Sequence, residues 1–171
     1  MDKWMREESG LSLLELVAAV PALTALFAGF LAILFILLRM YGCAISDWEV
    51  QHELRHAVEC ITEDVAYAQE VWLDDDGTKL CLRTFSCDAS ETVGVVYFWK
   101  KGGSSRLMKD GQPMTGESCL GRVEILEFRT VPQGEQQIWL RIRARNMVTR
   151  HEYLLETVVQ IYDGKIRERF Y

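Results

Sequence analysis

The chain has 171 residues, 49% of them hydrophobic and 26% charged, and a net charge of −6. That length allows one folded domain plus at most one extra element. No Lys/Arg block and no basic stripe interleaved with aromatics is present, so no extended nucleic-acid face is indicated.

The charge is unevenly spread. Residues 1–10, MDKWMREESG, are short and polar; residues 11–38, LSLLELVAAVPALTALFAGFLAILFILL, hold one charged residue, Glu15. A bilayer core needs roughly 20 helical residues to cross, so the run from 11 to 38 is long enough to span. Pro21 lies within its first turns, where membrane helices tolerate a proline. Lys3 and Arg6 precede the run and Arg39 follows it. This weak positive bias predicts a cytoplasmic N-terminus and an extracytoplasmic remainder.

The border between the polar and apolar stretches reads Gly10-Leu11-Ser12-Leu13-Leu14-Glu15. A border glycine, a hydrophobic residue, a hydroxyl residue, two aliphatics and a lone carboxylate at fixed spacing precede a long apolar continuation. This resembles the prepilin processing site of type IV pilins and type II secretion pseudopilins. The resemblance covers the leader and the whole apolar run. It implies cleavage after Gly10 by prepilin peptidase, an N-methylated terminus at Leu11, and retention of the apolar segment as a single span in the inner membrane. It also implies that Glu15 neutralises the terminal amine of a neighbouring subunit during assembly. The physics agrees, because a carboxylate within a bilayer is costly and needs a cationic partner. Leu11 stands where Phe or Met is frequent, and Ser12 where Thr is. Two other processing readings, a lipobox at Met40-Tyr41-Gly42-Cys43 and a small-residue cleavage site at Gly42-x-Ala44, fail because the apolar run is too long for a signal-peptide core.

Residues 39–73 are expected to continue as an amphipathic helix. Apolar residues fall at Ile45, Trp48, Leu54, Val58, Ile61, Val65, Ala68 and Trp72, steps that alternate between three and four from Leu54 onward. The turn-rich Asp74-Asp75-Asp76-Gly77 closes it near Leu73. The aspartates have the wrong spacing for an EF-hand and read as a solvated turn.

Within this helix His52-Glu53-Leu54-Arg55-His56 matches H-E-x-x-H. Histidines four apart on a helix share a face and can bind zinc, with the glutamate as general base. Arg55 sets a positive charge beside the dication, His151 is the one other histidine, and Leu54 belongs to the core stripe. Surface histidines are therefore the preferred reading, and a membrane-anchored zinc metallopeptidase using His52, Glu53 and His56 is the alternative. An unprocessed single-span binding protein is a further one.

Residues 74–171 read as a sheet domain. Strands are expected at 79–85, 93–99, 106–108, 123–129, 137–145 and 153–162, with a turn at Lys109-Asp110-Gly111 and a hairpin loop at Gly102-Gly103. The short connections imply antiparallel hairpins. Arg141, Arg143 and Arg145 alternate along one strand and read as a solvated face. The tail from Lys165 to Tyr171 reads as an added edge strand, a partner contact or a frayed end.

No C-x-x-C pair exists among the five cysteines, which removes support for zinc-ribbon and thioredoxin-type chemistry. Cys43 and Cys60 fall on the helix. If the later part is exported, one disulfide among Cys81, Cys87 and Cys119 is open to it, with an odd thiol left over.

The expected fold is α+β: a long N-terminal helix, half membrane-spanning and half amphipathic, packed against an antiparallel sheet in the lollipop form of pilins. The segment Thr62-Glu63-Asp64-Val65-Ala66-Tyr67-Ala68 and the order of elements resemble J-type minor pseudopilins and W-type minor pilins. The resemblance implies a non-catalytic, cofactor-free subunit that helps initiate or tip a pilus-like filament serving secretion, competence DNA uptake, or adhesion and motility. Its partners would be other pilins or pseudopilins through the N-terminal helix, the prepilin peptidase and the inner-membrane assembly platform.

Overall fold

The computed structural model describes residues 13–74, 76–85, 92–100, 102, 105–116, 123–162 and 164–167. The chain divides into two compact units, Met1–Gly42 and Cys43–Tyr171. The architecture is α+β, one long N-terminal helix followed by antiparallel-rich sheet.

Helix α1 runs Leu13–Ala66. In the first unit every described side chain from Val17 to Gly42 is exposed, and the apolar side chains point to all sides. A helix that is apolar all round is stable only when buried in protein or in lipid. By length and composition this helix can cross a membrane. Pro21 sits inside it, and the Thr24 hydroxyl donates to the Pro21 carbonyl at 2.9 Å.

In the second unit α1 buries one stripe, Ser46, Val50, Leu54, Ala57, Ile61 and Val65. The rhythm is that of a helix packed on one side, but its lower end differs from the sequence expectation. Trp48 is 65% exposed, and Ser46 and Val50 hold the inward positions instead. Ser46 faces the side chain of Asn146, a fit that a small hydroxyl allows and an indole does not.

The helix also ends earlier than expected. It stops at Ala66, and Glu70–Leu73 is strand β1. The buried positions there, Val71 and Leu73, alternate as in a strand. Ladder pairing with Leu80–Arg83 overrides the helical rhythm that Ala68 and Trp72 continue.

Strands β2 (Lys79–Phe85), β3 (Thr92–Lys100), β4 (Arg106–Lys109), β5 (Gln112–Pro113), β6 (Val123–Pro132), β7 (Gln137–Asn146), β8 (Glu152–Gln160) and β9 (Lys165–Arg167) follow. They form two sheets where one was expected. The first has the order β5-β4-β3-β2-β1-β9 and the second β6-β7-β8. All pairs are antiparallel except β1–β9, which is parallel. Of the three readings of the tail, its first residues, Lys165–Arg167, adopt the edge strand.

One core joins the helix to both sheets. Leu54, Ile61 and Val65 of α1 share it with Leu80, Leu82, Tyr97 and Leu107 of the first sheet and Ile125, Phe128, Leu140 and Ile142 of the second. Two turns need glycine. Gly77 has φ +64 and lies so close to Thr130 that a Cβ would come within 2.5 Å of the carbonyl oxygen. Gly164 lets β9 approach, since a Cβ there would collide with the Ala68 and Gln69 carbonyls.

Candidate functional site

The processing residues Gly10 and Leu11 lie outside the described residues. Glu15 lies within α1, but its side chain is outside what is described. The surface beside it is the bare apolar helix of the first unit, where Phe27, Phe30, Leu31, Ile33 and Phe35 are all exposed. Most of the exposed large hydrophobic side chains among the described residues lie here. This surface can dissolve in lipid or pack against other apolar helices.

The H-E-x-x-H residues go separate ways. The His52 ring stacks on Trp48, with centroids 5.5 Å apart and planes within 4°. Glu53 accepts a hydrogen bond from the Gly116 N–H at 3.0 Å, which ties α1 to the loop after β5. His56 lies beside Cys60, with Sγ 3.7 Å from Nε2. His151 pairs with Asp47 at 2.8 Å. Among the described residues no group of three or more His, Cys, Asp or Glu side chains gathers to hold a metal ion.

The arginine stripe on β7, expected as a solvated face, is exposed at Arg143 and half-buried at Arg141 and Arg145, and it is matched by carboxylates. Arg143 and Arg145 both grip Glu152 of β8, at 2.7 and 2.6 Å. These two guanidinium groups, Arg145 first, hold the Glu152 carboxyl below its usual range. Arg141 is shared between Glu127 at 3.8 Å and Glu156 at 3.4 Å. Cys43, Cys60 and Cys81 are free thiols, and burial pushes the Cys81 thiol up. Cys87 and Cys119 lie outside the described residues.

Sequence reasoning missed two polar ties. In the first, the buried phenol of Tyr97 donates to Asp64 of α1, and the Lys109 ammonium pairs with the same carboxylate at 2.8 Å. Burial and the Asp64 bond push the Tyr97 phenol far above its ordinary range. The Asp64 bond likewise raises Lys109.

The second tie centres on Asp47. Its carboxylate accepts from Thr149 Oγ1 at 2.5 Å, Asn146 Nδ2 at 2.8 Å and His151 Nδ1 at 2.8 Å. Asn146 is fully buried, and its amide also donates to Ser46 Oγ at 2.9 Å. Its side-chain oxygen caps the β7–β8 turn by accepting from the Val148 N–H at 2.8 Å. Arg150, at φ +66, completes that turn. Burial alone would raise the Asp47 carboxyl, but the bonds from Thr149, Tyr153, His151 and Asn146 outweigh it and hold it low. The signal for this site was Asn146-Met147-Val148-Thr149 between two alternating runs, an Asx-type turn. The sequence does not say that a helix aspartate about a hundred residues earlier meets it.

The Asp47 and Asp64 networks therefore tie the helix to the sheets, and the apolar helix of the first unit stands exposed. No family model, no curated protein and no solved structure matches the chain.

Proposed function

We propose that the chain is a minor pilin or pseudopilin, a structural subunit that helps initiate or tip a type IV pilus-like filament after prepilin peptidase removes residues 1–10. The observation that carries this reading is α1 itself. One helix, Leu13–Ala66, holds both the apolar run behind Gly10 and the stripe that packs into the core of the second unit. A leader that is cut off with its apolar core has no need to continue as one helix into the stripe of a folded domain. The lone carboxylate of Glu15, in a run that is otherwise apolar to Leu38, supports a pairing role between subunits.

In this reading the chain is a non-catalytic single-span protein of the inner membrane, with its sheet domain outside. Its neighbours are other pilins or pseudopilins, the peptidase and the assembly platform. The separate partners of His52, Glu53 and His56 favour this reading over the zinc peptidase.

Co-expression of the full chain with a prepilin peptidase, followed by N-terminal sequencing and intact mass, tests the proposal. A new terminus at Leu11, one methyl group heavier than the bare chain, is the expected result. A chain still starting at Met1, beside a control substrate that is cut, would overturn it.

A further inference from the structure

We infer that the β7–β8 turn is a lipid contact: the Met147 and Val148 side chains enter the interfacial layer of the bilayer, and the Arg150 side chain lies among its headgroup phosphates. The inference rests on the single-span part of the pilin reading, not on cleavage or filament assembly.

The turn stands at one end of the second unit. Its Asn146 and Thr149 side chains donate to Asp47 of α1, at 2.8 and 2.5 Å. Beyond the other end of β8, the Tyr162 N–H donates to the Ala66 carbonyl at 3.1 Å. Between Asp47 and Ala66, α1 climbs about 28 Å. The nine residues of β8 cover about 30 Å. Strand and helix therefore run side by side over one length, and the turn lies at the level where α1 enters the unit.

The apolar run reaches that level along the chain. Residues 16–46 hold one charged side chain, Arg39. A helix of that length measures about 46 Å, and a bilayer with both headgroup layers about 40–45 Å. In a spanning chain, Asp47, the first acidic residue after Glu15, falls at the border between headgroups and water. An arginine a few residues inside that border can extend its charged end to the headgroups. Tyr41 and Trp48 are both exposed here, and tyrosine and tryptophan are enriched at membrane borders.

The turn itself suits an interfacial layer. Met147 is 40% exposed and Val148 55%, two adjacent apolar side chains at the tip of a hairpin. Backbone groups that approach lipid need partners within the protein. Here the Val148 and Thr149 N–H groups both donate to the Asn146 side-chain oxygen, at 2.8 and 3.4 Å. Arg150 is exposed, and its guanidinium makes no ion pair among the described residues. Glu152, two residues on, is held by Arg143 and Arg145.

The test places the full chain, with 13C-methyl-labelled methionines, in phospholipid nanodiscs that carry a nitroxide on the lipid headgroup. Three methyl signals decide it, each assigned by its Met→Leu variant. Met40, two residues past the apolar run, reports the span. Met108 is buried on β4, whose Lys109 pairs with Asp64, about 26 Å up α1 from Asp47. The expected result is loss of the Met40 and Met147 signals with Met108 kept, and Val148→Asp should restore Met147 alone. Loss of Met40 with Met147 kept would overturn the lipid contact and leave the span standing. A Met40 signal that persists would overturn the span and the contact together. Loss of Met108 as well, or a Met147 loss that Val148→Asp does not reverse, would also overturn the contact.

Discussion

Asp47 on α1 and Asn146 at the end of β7 are joined by a 2.8 Å hydrogen bond across 99 positions of sequence. Asn146 is fully buried there and Asp47 partly so, and each satisfies several donors or acceptors of the β7–β8 turn. A buried amide that loses its partners bears the full cost of desolvation. Asn146→Ala is expected to destabilise the second unit by about 2–4 kcal/mol, measured by chemical denaturation of the chain in micelles. Asp47→Ala combined with Asn146→Ala should cost less than the sum of the two, because they remove one network.

The same network sets a pH dependence. The folded-state carboxyl of Asp47 titrates below its ordinary value of 3.8. Its stabilisation is therefore complete above that ordinary value and is lost as pH falls through the lower, folded one. Melting temperature measured from pH 6 downward should drop at the acid end, and the drop should be smaller in Asp47→Asn. On the alkaline side, burial and the Asp47 bond raise Tyr153 to about 12. Its contribution is complete below pH 10 and disappears as pH rises through about 12. Tyr153→Phe should flatten that limb.

The buried stripe of α1 separates residues that composition alone treats alike. Leu54→Ala or Ile61→Ala removes a fully buried side chain and should cost about 2–5 kcal/mol. Trp48→Ala removes a larger but exposed one and should stay within about 0.5 kcal/mol of the parent. Equal losses at Trp48 and Leu54 would contradict the packing.

Gly164→Ala pushes a methyl group into two carbonyl oxygens where β9 meets β1. The expected result is detachment of β9, read as fast hydrogen exchange at Lys165 and Ile166. The accompanying loss is about 1–3 kcal/mol, since β9 is only an edge strand.

If Glu15 pairs with a neighbouring subunit, Glu15→Leu should leave cleavage after Gly10 intact and abolish incorporation into filaments. Immunoblotting of sheared filaments against membranes separates the two steps.

Much of this architecture was legible in the residues. The long apolar run, the inward row Ile138, Leu140, Ile142 and Ala144, and the turn at Asp110-Gly111 all follow from periodicity and turn chemistry. The end of α1 did not follow, because Ala68 and Trp72 continue a helical rhythm while Val71 and Leu73 start a strand one. Only the pairing of β1 with β2 and β9 decides between them, and pairing is not local. Alternation likewise marks which side of a strand is buried but not which strand lies beside it, so two sheets read as one. The H-E-x-x-H match shows a different limit of spacing. Spacing put His52, Glu53 and His56 within reach of one another, and neighbours outside the motif, Trp48, Gly116 and Cys60, engage each of them.

The parallel pairing of β1 with β9 also fixes an order in time. Glu70 sits opposite Lys165, so the first strand to leave the ribosome waits for a partner almost a hundred residues behind it. Until that partner emerges, the Glu70–Leu73 segment has one bare flank, next to the end of the helix. A chain cut off before Lys165 would leave that flank open, and one that carries Lys165–Arg167 closes it.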